Sequence, residues 1–264
     1  MAVPAMAQAP PARPASTVAL VRDGPGGPEV YLLRRVAAMA FAGGMTAFLG
    51  GSVDSADRNG DPPWLGPAPD AWAARLGADE PLVRALVCAA VRETFEESGV
   101  LLAGPAAGRQ MADVSGPEWE SERRSLEAGA QSLSQLLLRR GLLVCADRLR
   151  PWAHWITPES SPRRYDTRFF VAAMPVGQAT RDVRGEADRV GWIRPGDAVA
   201  AHRRGELPML PPTAVTLAEL TPYDSVADVL AAADRRTIRP IRPRVIGDGG
   251  PVRVVLPGEE GYEG

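Results

Sequence analysis

The sequence predicts a mixed fold of the α/β or α+β class, and three observations predict it. Two short apolar runs, Thr17 to Val21 and Val30 to Leu33, flank a turn of Asp, Gly and Pro, which reads as a strand pair. A long helix from Glu80 to Ser98 follows, with Val83, Leu86, Val87 and Ala90 at helical spacing. Further strand-like runs then alternate with helical segments, which puts sheet and helix in one core.

Taken in order, residues 1–15 are rich in Ala, Pro and Met and read as a disordered tail. The remainder, 16–264, reads as one domain with insertions near 58–79 and 104–141. Met39 to Leu49 is apolar and broken by glycine, and leads into Gly50-Gly51. Residues 54–79 are loop-like, with a short helix from Asp70 to Leu76; Trp64 and Trp72 there suit either a homodimer interface or a cap on the core. Asp79 is the N-cap of the long helix, Pro81 lies in its first turn and Gly99 stands just past its end.

The motif Ser115-Gly116-Pro117-Glu118 opens a second helix that runs to about Arg140 and stops at Gly141. Strands are expected at Leu142–Cys145, Arg168–Met174 and Arg189–Ile193. Helices are expected at Pro212–Leu220 and Ser225–Ala233, and a hairpin at Arg244–Leu256 that turns at 247–250.

Composition narrows the function. The net charge of −2 and a pI near 5.8 argue against nucleic acid or an anionic membrane as the main partner. The start has no basic segment followed by an apolar run, and no stretch has the ~18 apolar residues of a membrane span. Cys88 and Cys145 make no disulfide framework and read as buried thiols in a reducing cytoplasm. There is no lysine, so any phosphate contact by a cation falls to arginine and its planar fork. His154 and His202 have no companions at zinc-ligand spacing, and no Walker loop is present.

The most informative run is Arg92-Glu93-Thr94-Phe95-Glu96-Glu97-Ser98-Gly99-Val100. Glu93, Glu96 and Glu97 lie at i, i+3 and i+4 and share one helix face, where like charges repel. Such a cluster is tolerated when it is fully solvated or when a cation neutralises it. An all-oxygen set suits Mg²⁺ or Mn²⁺. Gly50-Gly51 upstream allows a close backbone approach to a ligand.

These residues resemble the signature of the Nudix hydrolases, G-x5-E-x7-R-E-U-x-E-E-x-G-U. Gly51 matches the first glycine, Asp57 replaces the first acid, and Arg92 to Val100 match the second half, with Thr94 at an apolar position. Residues 58–91 stand where the signature has seven, so the motif carries an insertion. The resemblance implies a Nudix-type α/β/α sandwich with a mixed sheet. It also implies a divalent-metal-dependent pyrophosphohydrolase acting on a nucleoside diphosphate linked to another moiety. It assigns Glu93, Glu96 and Glu97 as metal ligands, one of them acting on the water, joined by the Gly50 carbonyl; it gives Arg92, Gly51 and Gly99 structural roles. Glu186 is the candidate for a further acidic ligand, with Asp57 behind it.

A second set of residues, Trp155 to Pro158, Arg163 to Phe170 and Met39-x-Phe41-x-x-Gly44, resembles a subset of the family that includes peroxisomal coenzyme A diphosphatases. That resemblance makes coenzyme A or acyl-CoA the first substrate to consider, ahead of ADP-ribose, NADH and nucleotide sugars. A nucleotide-binding module without turnover is the reading of another class. Arg34, Arg35, Arg163, Arg164 and Arg168 are candidates for phosphate contacts, and Trp155 and Tyr165 for stacking a base.

Overall fold

A computed structural model, which describes residues 9–35, 43–106, 114, 116–181, 187–246 and 253–262, centres on a mixed sheet. Of residues 35 and 187–190 it describes the backbone alone. The central path runs β10 (Ala187–Ile193), β2 (Gly27–Arg35), β1 (Arg13–Gly24), β9 (Tyr165–Ala173), β8 (Leu149–Ile156), β11 (Pro240–Ile241). The pairs β1–β9 and β8–β11 are parallel and the rest of the path is antiparallel. Two short strands attach to it: β3 (Thr46–Ala47) to β2, and β4 (Leu49–Ser52) to the first half of β1.

Strand alternation sorts the core into two layers. Val18, Leu20, Tyr31, Leu33, Phe170 and Ala172 pack toward α2 (Pro69–Leu76) and α3 (Glu80–Ser98). Ala19, Val21, Val30, Leu32, Phe169 and Val171 pack toward α6 (Pro195–Arg203), α7 (Pro211–Leu220) and α8 (Val226–Arg235). The result is the expected α/β/α sandwich. The ends of α3 fall where the sequence places them: the Asp79 side chain accepts from the Leu82 N–H, and Gly99 takes φ +72 at the C-cap.

The insertions are built elements that lock together. After α1 (Ser55–Asn59), β5 (Trp64–Leu65) pairs in parallel with β7 (Leu142–Cys145), whose other edge holds β6 (Ala103–Pro105). Trp72 is buried in the core beside Phe170, and Trp64 packs on the same cluster. Both tryptophans therefore pack on the core, Trp72 buried and Trp64 half-buried.

Several expectations need correction. Strand β1 begins at Arg13, inside the segment read as a tail, because Arg13 to Val21 pair with β9. The single helix expected from 115 to 140 is two, α4 (Pro117–Glu127) and α5 (Leu133–Arg140). Gly129 takes φ +66 between them, and Ser132 and Gln135 form a capping box that restarts the helix. Gly116 is the N-cap of α4, without a side-chain cap; Ser115 lies outside the described residues.

Strand β8 and helix α6 are additions to the sequence reading. Pro151 argues against an inner strand, yet here it sits at a register irregularity in the pairing with β9, where a missing N–H is tolerated. Pro195 occupies the first helical turn of α6, so its Pro-Gly-Asp start reads locally as a turn. The C-terminal hairpin forms as expected, with β12 (Arg244–Ile246) antiparallel to β13 (Arg253–Val255); its turn lies outside the described residues.

Because the break between α4 and α5 rests on the Ser132 cap, Ser132→Ala is expected to cost about 1 kcal/mol. Urea unfolding should show a lowered midpoint with an unchanged slope.

Candidate active site

The C-terminal half of α3 forms one wall of a cleft of about 680 Å³. Glu93, Glu96 and Glu97 line it together with Gly50, Gly51 and Ser52 of β4. The lining also includes Trp155 of β8, Tyr165 and Phe169 of β9, and the first residues of α7. The opposite side of α3 is turned into the core and keeps the helix in register. Thr94 is fully buried at its apolar signature position, and its hydroxyl donates to the Ala90 carbonyl at 2.7 Å. Ser98 does the same toward Thr94 at 2.6 Å. Ser16 of β1 donates to the Leu86 carbonyl at 2.6 Å, which ties the helix to the sheet beside the glycines.

Glycine is required at both positions of β4. Gly50 has φ +151, and a Cβ there would overlap the Ser16 carbonyl. Its N–H donates to Glu97 Oε2 at 2.7 Å, which draws that carboxylate against the strand. At Gly51 a Cβ would overlap the Glu93 carboxylate. The close approach expected from Gly50-Gly51 is therefore an approach of strand to acidic helix.

Arg92 organises the acids from below. Its Nε and Nη2 donate to Asp57, the latter at 2.8 Å, and Nη2 also donates to the Ser52 carbonyl at 3.1 Å. Its Nη1 donates to Glu93 Oε1 at 2.9 Å and to Glu96 Oε2 at 3.1 Å. The Arg92 and Asp57 side chains are 9% and 1% exposed. Asp57 thus belongs to the bracing of Arg92, and its place on α1 explains how the first acidic position survives the long insertion.

Burial pushes the Glu96 carboxyl up to about 8; the Arg92 charge opposes this and the Glu93 charge adds to it. Burial alone would lower Arg92, but the Asp57 hydrogen bonds and the Glu93 charge reverse that and hold it protonated.

Helix α4 supplies a residue that the sequence reading missed. Arg123 is 3% exposed and donates to the Glu96 carbonyl at 2.9 Å and to Glu127 at 3.0 Å; Glu127 lines the cleft beside the three glutamates. Its only sequence signal was the dense charge in the first half of that helix.

The remaining candidates divide. Trp155 and Tyr165 line the cleft, and so does Arg163. Arg164 donates instead to the Thr157 and Pro10 carbonyls. Arg168 corrects an expectation: it shares the Phe170 face of β9, is buried, donates to the Leu76 carbonyl at 2.9 Å and pairs with Asp166. Alternation turns it to the α2 layer, away from the cleft. Arg34 donates to the Gly44 carbonyl at 3.3 Å and is absent from the cleft lining. Arg35 ends β2 and its side chain lies outside the described residues, as do Glu186, Met39 and Phe41. Gly99 closes α3, and a Cβ there would overlap Arg181.

The donor set fits a hard divalent cation, because three carboxylates face one cleft from two turns of helix. Arg92 donates to one oxygen of Glu93 and one of Glu96, and the Gly50 N–H donates to one oxygen of Glu97, so all three carboxylates are held in place. Among the described residues, no three acidic, histidine or cysteine side chains are already gathered into a cage.

An acidic helix wall clasped to a glycine strand, within this sandwich, defines a hydrolase of the Nudix class, which acts on phosphoanhydride bonds. Residues 74–220, more than half of the chain, match the NUDT19 Nudix domain, and the chain belongs to that family. It is similar to the solved NUDIX hydrolase from Alicyclobacillus acidocaldarius, with 31% identity, a TM-score of 0.67 and coverage of 84% of this chain and 96% of that one. It is 27% identical to the acyl-coenzyme A diphosphatase NUDT19 of Gallus gallus over 82% of this chain and 70% of that protein. To the Xenopus laevis protein of the same name it is 25% identical, over 76% and 62% respectively. The chain therefore spans less than two thirds of the frog protein. Among the described residues, no helix is long and apolar enough to cross a membrane.

Two outcomes follow from this geometry. Arg92→Ala leaves Asp57 buried without its counter-charge and should destabilise the fold by about 3–5 kcal/mol, with part recovered when Asp57→Ala is added; denaturant unfolding of the double-mutant cycle measures it. Gly51→Ala should displace Glu93. Titration of activity with Mg²⁺ should then show a weaker metal requirement constant, with a much smaller change in unfolding midpoint than Arg92→Ala gives.

Proposed function

We propose that this Nudix hydrolase cleaves the pyrophosphate of coenzyme A or an acyl-CoA, with Mg²⁺ or Mn²⁺ held by Glu93, Glu96 and Glu97. The observation that carries the metal reading is the shared cleft wall of these three carboxylates, two of them braced by Arg92 and the third by the Gly50 N–H. The names of the two vertebrate relatives support the substrate. When bound, the cation polarises the phosphoryl oxygens and lowers the pKa of a water.

The protein's own part is positioning and charge. Arg92 holds Glu93 and Glu96 at fixed separation, so the acids keep their places as charge changes around them. Arg123 fixes the Glu96 backbone from outside the helix. Arg163, Trp155 and Tyr165 line the same cleft, which supports a phosphate contact by the arginine and stacking by the rings. The two cysteines are buried free thiols, which supports a reducing, cytoplasmic setting.

The test is hydrolysis by the full chain, with Mg²⁺ or Mn²⁺, of coenzyme A, octanoyl-CoA, ADP-ribose, NADH and nucleotide sugars. The expected result is adenosine 3′,5′-bisphosphate and 4′-phosphopantetheine, or its acyl thioester, released faster than products from the other compounds. Activity should vanish in EDTA and fall roughly 100-fold or more in Glu97→Gln. Faster turnover of ADP-ribose, NADH or a nucleotide sugar overturns the substrate, and full activity in Glu97→Gln overturns the metal site.

A further inference from the structure

The C-terminal hairpin carries an exposed apolar pair. Among the described residues, the exposed large hydrophobic side chains are Leu138, Val176, Val245 and Val254. Two of these four, Val245 and Val254, stand directly opposite each other across β12 and β13. Both line the cleft that holds the acidic wall, and each is more than two fifths exposed. A two-stranded ribbon with one covered face ordinarily alternates, polar on its open side. This one does not: Val255 is fully buried, and the neighbouring Val254 still presents an apolar side chain to the open cleft.

The surroundings extend the apolar character. Pro243 precedes the hairpin on the cleft, and Leu210, Pro211 and Phe169 continue its lining toward Trp155. The cleft thus has two chemically different limbs, a carboxylate wall on α3 and an aliphatic rest on the hairpin. A substrate whose pyrophosphate lies at the first and whose far end is aliphatic would cover both. Covering the valine pair removes apolar surface from water, at about 0.8 kcal/mol for each methylene fully buried, or roughly fourfold in affinity.

We propose that Val245 and Val254 form the specificity-determining rest for an aliphatic chain at the end of the substrate, so that the enzyme prefers an acyl-CoA to free coenzyme A. The inference rests on the coenzyme A reading above and deepens it. The hairpin packs as a two-stranded unit outside the central sheet, so a change of its open face leaves that sheet intact.

The test compares octanoyl-CoA with coenzyme A, using the full chain and the double variant Val245→Thr/Val254→Thr, which keeps β-branching and nearly the same shape. The readout is the ratio of kcat/KM for the two substrates. Equilibrium binding of the same two compounds in EDTA gives the corresponding ratio of Kd without turnover. The expected result is at least about a tenfold preference for octanoyl-CoA in the parent chain, reduced to within about twofold in the variant, by both measures. Equal handling of the two compounds by the parent, or a preference that survives in the variant, overturns the inference. Hydrolysis of coenzyme A without acyl preference overturns the hairpin's role and leaves the proposed activity standing. Acyl-selective binding by the valine pair without turnover supports the rest and overturns the activity.

Discussion

Negative charge near the C-terminal end of a helix is disfavoured twice, by repulsion between the carboxylates and by the helix dipole. Helix α3 carries Glu93, Glu96 and Glu97 in its last two turns and has no basic residue in its last turn. Arg92 makes this tenable. Its planar guanidinium directs one nitrogen at Glu93 and Glu96 and the others at Asp57 and the Ser52 carbonyl. A lysine ammonium is a point charge on a flexible stem and cannot hold four partners in fixed directions. Glu93, Glu96, the glycine strand and helix α1 all meet at this one buried side chain, and the strand in turn holds Glu97 through the Gly50 N–H.

The insertions answer the same constraint from outside the motif. The first contains most of the segment between Asp57 and α3, and it returns the chain so that Asp57 meets Arg92 across 35 residues. The second brings Arg123 to the Glu96 carbonyl, where a cation near a helix C-terminus is favourable. Glu120 gathers Arg123, Arg124 and Arg181, and this holds α4 against the end of α3. That carboxyl lies well below its ordinary range, at about 2, first because of its Arg123 hydrogen bonds. The small sheet of β5, β7 and β6 then joins the two insertions to each other. They serve as a brace around the acidic helix and also shape its cleft, through Glu127.

Much of the candidate site was legible because its spacing is local. One helical turn places Glu93, Glu96 and Glu97 on one face whatever surrounds them. The caps of α3 were legible for the same reason, since Asp79 and Gly99 act within a few residues. The arginines were not. Arg163 and Arg164 are neighbours, yet one lines the cleft and the other turns to the Pro10 carbonyl. Arg168 was expected at a phosphate and sits instead beneath α2, because strand parity decides its face and the sequence does not say which face meets the cleft. Strand β8 was hidden by Pro151, whose missing N–H matters only where the ladder needs it.

The sequence by itself determined the acidic face, its arginine and its flanking glycines, because short-range helix and turn geometry fixes them, and the motif they form pointed to the reaction class. It also determined that any cationic contact to phosphate comes from arginine, since the chain has no lysine. The tertiary structure alone decided that Asp57 braces Arg92, that Arg123 and Glu127 join the site, and that the hairpin valines share its cleft. Each of these pairs residues far apart in the chain, and such contacts depend on sheet order, strand parity and the path of the insertions. Those are properties of how the layers pack, which no local spacing encodes.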